Sequence, residues 1–223
     1  MQLDAIASAV LNHIYSGTQG LNSNIKLSVE QLTDECVAEK NTILREFLLK
    51  GALNLEELYL AINCIEVDCA HMSKCCDVHL GEKALHFEIP PILYLKGVPT
   101  IKFIGSVDRH TKYAIYTDDS YKLHKYKKRK NNAPYVYVDT AINGNGKMDC
   151  YIFNAPFVKY VSIIALFQDP RQLLEYDCCS GSSEAYLDFG ILSEPIINNL
   201  TQRYLYYYRQ FANPVTPNTQ QPK

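Results

Sequence analysis

The chain has 223 residues and a formal net charge of −2, and its composition is 47% hydrophobic and 21% charged. These values are typical of a globular protein with one or two domains, and they exclude a wholly disordered or collagen-like chain. No apolar run has the ~18–20 residues of a membrane span, so we expect no membrane partner. Asp4 precedes the first basic residue, Lys26, which argues against a secretory signal, and we expect a protein with reduced cysteines.

Helical periodicity dominates the N-terminal part of the chain. Ile6, Val10 and Ile14 recur at four-residue spacing and predict a short helix over 3–16. We therefore assign residues 1–83 to a helical N-terminal region.

The clearest helix in this region opens with a capping box. Ser28 and Gln31 have the required spacing, and Gly51 stands where the helix is predicted to end. Asn54 is a good cap for a second helix. The sequence therefore predicts a tight helical hairpin over 28–63.

Residues 84–168 are rich in Tyr, Ile, Val and Phe and are broken by turn-forming residues, which predicts a β-rich core of short strands. The strand-like runs YKLHKY and YVYVDT flank a polar turn and predict a long, protruding hairpin with a basic tip. The run NGNG at 143–146 is a second strong turn signal.

A C-terminal helical region is predicted over 169–211. Asp169 and Pro170 open a short helix, and Ser193 caps a longer one with a wide tyrosine-rich face. The tail, 212–223, has no apolar anchor and is predicted to be flexible. Helices followed by strands and again by helices, without βαβ alternation, predict an α+β fold with an antiparallel sheet.

Six cations and no acids fall within residues 121–132, here called the basic segment, whereas the rest of the chain has 16 basic and 24 acidic residues. Interleaved aromatic residues suit phosphate contact with base stacking, but an acidic protein neighbour or a merely solvated tip fits the pattern as well. The candidate partner or DNA contacts are Lys122, Lys125, Lys127, Lys128, Arg129 and Lys130, with Tyr204, Tyr207 and Tyr208 on the final helix.

A cysteine cluster is the candidate for a zinc site: Cys64, Cys69, Cys75 and Cys76. Its C-x4-C-x5-C-C spacing lacks the C-x2-C pair of most structural zinc sites, and adjacent cysteines rarely ligate one zinc together. We therefore favour ordinary thiols over a metal site.

Motifs of hydrolysis and nucleotide binding are missing from the sequence, among them GxSxG, HExxH, the Walker A loop and GxGxxG. We therefore expect no enzymatic activity, no cofactor and no small-molecule substrate.

Three segments resemble virion ring proteins from the tails of crAss-like gut bacteriophages: TILREFLLKGALNLEELYLAINCIEVDC, HFEIPPILYLKGVPTIKFIGSVDRHTKYAIYTDD and YIFNAPFVKYVSIIALFQDPRQLLEYDC. They span much of residues 28–178. The resemblance implies a structural head–tail adaptor, a ring of twelve copies below the portal through which DNA passes into the tail. No motif in these segments is tied to a reaction, and no catalytic residue is carried over.

The resemblance also implies where the chain works and what it contacts. It implies synthesis in the bacterial host cytoplasm, followed by a place in the virion at the portal vertex. The implied partners are further copies of the chain, the portal protein and other tail ring components, with transient DNA contact in the channel. The alternatives are a nucleic-acid-binding module acting through the basic segment and a small zinc-binding protein built on the cysteine cluster.

Overall fold

The computed structural model describes residues 2–17, 27–51, 55–69, 84–117, 120–121, 133–155, 157–176 and 188–212. The chain divides into two compact units. A helical unit combines residues 1–50 with 187–223, and a β unit comprises residues 51–186.

Within the described residues, the helical unit has three helices and one short turn: α1 (Leu3–Gly17), α2 (Val29–Lys50), a 3-10 turn (Gly190–Leu192) and α3 (Ser193–Ala212). α1 packs against both α2 and α3. The apolar stripes of the three helices are buried, including Ile6, Val10, Ile14, Leu32, Cys36, Ile43, Ile196 and Leu200. The helices predicted over 3–16, from Ser28 and from Ser193 are confirmed.

Both ends of α2 follow the predicted local signals. The Gln31 amide donates to Ser28 Oγ at 3.2 Å, and the Ser28 amide donates to Gln31 Oε1 at 3.3 Å. Gly51 has a φ of +63°, a left-handed conformation that suits glycine at a helix C-terminus. The capping box and the glycine stop are therefore confirmed.

The β unit contains ten strands among the described residues: β1 (Leu60–Glu66), β2 (Asp68–Cys69), β3 (Leu85–Ile89), β4 (Tyr94–Leu95), β5 (Val98–Pro99), β6 (Ile101–Gly105), β7 (Ala114–Tyr116), β8 (Tyr135–Ile142), β9 (Met148–Phe153) and β10 (Tyr160–Ala165). Two 3-10 helices accompany them, Leu55–Leu58 and Pro170–Tyr176, and the second confirms the short helix predicted after Asp169.

Two sheets share the core of the β unit. β1, β10 and β6 form a three-stranded antiparallel sheet, and the second sheet has the order β2-β3-β9-β8-β7. Alternate residues of their strands, including Ile62, Ile163, Phe87, Val138 and Ile152, lie in one hydrophobic cluster. The helices with antiparallel-rich sheets confirm the α+β fold class.

The prediction of a second helix in the hairpin over 28–63 is wrong. After the Leu55–Leu58 turn the chain forms β1, which pairs antiparallel with β10 from Leu60↔Ala165 to Glu66↔Tyr160. This pairing buries Ile62 and Ile65, and such long-range packing outweighs the local helical signal of Asn54. The N-terminal helix pair consists instead of α1 and α2.

The strand pairing around the basic segment also differs from the prediction. Tyr121 lies in a helical turn, and Tyr135–Tyr137 pair with β7 in parallel and with β9 in antiparallel orientation. Both edges of this part of β8 are therefore occupied, so it has no free edge for the predicted hairpin partner at 121–126. Residues 122–132 themselves lie outside the described residues, as does the predicted flexible tail from 213 onward.

The predicted NGNG turn is confirmed as the connection between β8 and β9. The Asn143 amide donates to the Lys147 carbonyl at 2.7 Å, and Asn143 Oδ1 accepts from the Asn145 and Lys147 amides, both at 3.0 Å. No helix in the described ranges is long and apolar enough to cross a bilayer.

Candidate interaction surfaces

The tyrosines predicted as contacts on the final helix divide into two kinds. Tyr204 and Tyr208 stack at a centroid distance of 6.1 Å, and Tyr204 Oη donates a hydrogen bond to the Glu35 carboxylate of α2. Burial, followed by the Glu35 contact, raises the pKa of Tyr204 well above its usual value. Tyr204 and Tyr208 therefore help to hold α3 within the helical unit.

Two neighbouring tyrosines of α3 face solvent. Tyr206 is 61% exposed and Tyr207 is 50% exposed, and their rings meet edge to face at 6.2 Å. We call them the tyrosine pair. Tyr207 was among the predicted contacts, whereas Tyr206 was missed because it lies on a different face of the helix from the apolar stripe. Large, exposed aromatic side chains with few rotatable bonds are typical of protein interfaces.

A polar clasp fixes the orientation of α3. Glu39 of α2 is almost fully buried, and its carboxylate accepts hydrogen bonds from Asn199 Nδ2 at 2.9 Å and from the Arg203 guanidinium. Lys40, the next residue, places its ammonium 5.5 Å from the centre of the Phe189 ring. These contacts determine which face of α3, and thus which tyrosines, the helical unit presents.

Tyr121, the first residue of the basic segment, packs on an aromatic sheet face, whereas the six candidate cations lie outside the described residues. Tyr121 packs against Tyr137 at 4.7 Å and Phe153 at 5.8 Å. Tyr135 stacks on Phe153 at 4.8 Å, and both are buried. These rings are already engaged with one another, which assigns them a packing role.

An acidic cleft, which the sequence did not reveal, lies in the β unit beside β1, β2 and β3. It has a volume of about 560 Å³, and its ionisable lining includes Glu66, Asp68, Glu88, Glu175, Lys147 and His86. Ile65, Phe87 and Tyr176 also border it, the first two being almost fully buried in the core. The lining residues come from four separate stretches of the chain, so no local motif announces the site.

Some acids of the cleft have partners, and others are free. Glu88 Oε1 accepts from Asn143 Nδ2 at 2.8 Å, and Glu175 pairs with Lys147 Nζ at 3.0 Å. The hydrogen bond to Glu175 raises the pKa of Lys147. Glu66 and Asp68 are exposed, and they make no side-chain hydrogen bond or ion pair within the described part of the chain. The cleft therefore has negative charge available to a cationic ligand.

The cleft contains a candidate nucleophile, Cys64, and a candidate base, His86. His86 Nε2 pairs with Asp149 Oδ1 at 2.8 Å, and its ring lies 5.2 Å from that of Tyr151. Cys64, with a φ of +59° at the bulge between Ile62 and Ile65, makes no hydrogen bond to His86 among the described contacts. A thiolate mechanism needs its base within hydrogen-bond reach, and the described contacts do not give Cys64 and His86 that arrangement.

The zinc hypothesis remains a prediction. Cys64 is partly buried, Cys69 ends β2, and Cys75 and Cys76 lie outside the described residues. Among the side chains that the structure describes, no group of three or more His, Cys, Asp or Glu residues is arranged to hold a metal ion.

Comparison with known proteins finds no family that matches the chain and no curated protein with a similar sequence.

Proposed function

We propose that the chain is a structural virion protein, the subunit of a ring in the bacteriophage portal and tail assembly that forms a conduit for DNA. The observation that carries the proposal is the exposed tyrosine pair on α3. The resemblance of three segments, which span much of residues 28–178, to ring proteins of crAss-like phages also supports it.

The tyrosine pair supports assembly because about half or more of each side chain is exposed in the single chain. The Glu39–Arg203 clasp holds α3 in one orientation, so the exposed rings are preorganised. A preorganised aromatic surface loses little conformational entropy on association. A ring of heterologous contacts needs such a surface on every subunit.

The charge distribution supports a conduit. Outside the basic segment the chain has 16 basic and 24 acidic residues. A wall of like sign to DNA repels the phosphates and prevents the passing polymer from binding tightly. We propose the portal protein and neighbouring tail rings as the further partners, and the portal vertex as the location.

Native mass spectrometry and electron microscopy of the purified chain test the proposal. We expect closed rings of about twelve subunits with a central channel. The variant Tyr206→Ser/Tyr207→Ser should remain folded and lose the rings, whereas Tyr206→Phe/Tyr207→Phe, which keeps the aromatic area, should retain them. A strictly monomeric wild-type chain, also in the presence of its portal, would overturn the proposal.

A further inference from the structure

We propose that the acidic cleft binds the basic segment of a neighbouring copy of the chain, and that this is one of the head-to-tail contacts of the ring. The inference rests on the proposed ring function, and it assigns a partner to a site that faces solvent in the single chain.

Charge complementarity is the first argument. Among the described residues, the lining of the cleft has four carboxylates, those of Glu66, Asp68, Glu88 and Glu175, and one lysine. Glu66 and Asp68 are exposed and have no partner within the part of the chain that the structure describes. The basic segment contributes six cations without an acid, in a chain whose remainder is acidic. The basic segment and the acidic cleft, both parts of the same chain, are therefore complementary in charge.

The cleft already binds one lysine in the way that we propose for others. Lys147 Nζ lies 3.0 Å from a carboxylate oxygen of Glu175 and 5.1 Å from the centre of the Tyr176 ring. Lysine and arginine favour sites where apolar walls cover the aliphatic stem and carboxylates bind the charged end. Ile65 and Phe87 also border the cleft, but they are almost fully buried in the hydrophobic core, so Tyr176 is the apolar surface available to a second stem.

The ring premise assigns the contact to two copies. The cleft lies beside β2 and β3, and Tyr121, the described residue before 122–132, packs on Tyr137 of β8 in the same five-stranded sheet. β3 and β8 are two strand spacings apart, roughly 10 Å, so distance alone allows a segment of this length to reach its own cleft or that of a neighbour. A heterologous ring requires complementary surfaces on every subunit, and a contact between copies supplies them.

Two charge-reversal variants of the full-length chain test the contact. Glu66→Lys/Asp68→Lys reverses the charge of the cleft. Lys127→Glu/Lys128→Glu/Arg129→Glu/Lys130→Glu leaves two cations and adds four acids, which reverses the charge of the segment from +6 to −2. Each variant alone brings like charges together, so we expect at least a tenfold loss of assembly by sedimentation velocity at ~0.1 M salt. As a matched control, Glu56→Lys/Glu57→Lys makes the same charge change at two exposed acids outside the cleft and should leave assembly intact.

The decisive measurement is the equimolar mixture of the two variants. A normal segment then meets a normal cleft, and a reversed segment meets a reversed cleft, so alternating rings should form again. If only a chain with the substitutions of both variants recovers, the contact lies within one copy and the inference fails. If the cleft variant assembles like wild type, while the segment variant loses retention on DNA, the segment binds nucleic acid and the inference fails as well.

The outcomes also separate this inference from the proposed function. If the wild-type chain forms rings and the Glu66→Lys/Asp68→Lys variant forms them equally well, the contact is refuted and the ring function is retained. A wild-type chain that forms no ring under any of these conditions would refute the ring function itself.

Discussion

Breaking the clasp between α2 and α3 should destabilise the helical unit measurably. In Arg203→Met the aliphatic stem is largely preserved, but the guanidinium that binds Glu39 is lost. The Glu39 side chain is only 6% exposed, so its carboxylate would remain buried with Asn199 as its described hydrogen-bond partner. Isolating a buried charge costs about 3–5 kcal/mol, and leaving a neutral acceptor unsatisfied costs about 1–3 kcal/mol.

The exposure of Arg203 decides whether the larger cost, for an isolated buried charge, or the smaller cost, for an unsatisfied acceptor, applies. The Arg203 side chain is 46% exposed, so water can reach the oxygen that it vacates. We therefore expect a loss of about 2 kcal/mol. With a urea slope of about 2 kcal/mol per molar, the unfolding midpoint of the helical signal should fall by about 1 M. Circular dichroism at 222 nm during urea titration measures this shift.

A double-mutant cycle separates the pair from its surroundings. Glu39→Gln removes the charge of the side chain and keeps its shape. It should lower the free energy of unfolding less in the Arg203→Met background than in the wild-type protein. We expect a coupling of about 1–2 kcal/mol between the two positions. A midpoint that moves by less than about 0.2 M in Arg203→Met would show that water solvates the carboxylate fully, and our account of how α3 is oriented would be refuted.

Three further predictions follow from local features. Gly105→Ala should lower the free energy of unfolding by more than about 3 kcal/mol in chemical denaturation, since a Cβ there would lie 2.0 Å from the Thr111 carbonyl oxygen. Gly144→Ala has open space around it and should be nearly neutral. Equal stability of the two variants would contradict the close packing at Gly105. Ser28→Ala should destabilise α2 by about 1 kcal/mol in the same assay through loss of the capping box, and an unchanged midpoint would show that the cap contributes nothing. Burial, with Glu35 and Glu39 nearby, raises the pKa of Cys36 to about 12, so alkylation of the native protein at pH 8, read by peptide mass spectrometry, should spare Cys36 and the buried Cys150 while Cys64 reacts. Because the unfolded thiol ionises near 9.0, the free energy of unfolding should fall as the pH rises from 9 toward 12. Rapid labelling of Cys36 in the native protein would argue against its burial.

The parts of the fold that local chemistry controls could be predicted from the sequence. The capping box at Ser28, the stop at Gly51 and the turn at 143–146 depend on neighbours within a few residues, and each was found where it was predicted. The α+β class followed from the order of the periodic segments. Such features need no knowledge of tertiary contacts.

The errors arose where distant segments decide the structure. β1 has a helical cap signal before it, yet its partner is β10, about a hundred residues later in the chain. β7 pairs with β8 in parallel, which no two-residue turn can produce. The acidic cleft is invisible in the sequence for the same reason, since Glu66, Glu88 and Glu175 meet only after both sheets have formed.

The division of the helical unit between the two ends of the chain has a consequence for biogenesis. α1 and α2 precede residues 51–192 in the chain, and their partner α3 follows them. During translation the bundle therefore cannot close before the β unit has been synthesised, and the exposed tyrosines of α3 are made after it. The order of the elements thus delays the completion of the helical unit and couples it to the synthesis of the β unit.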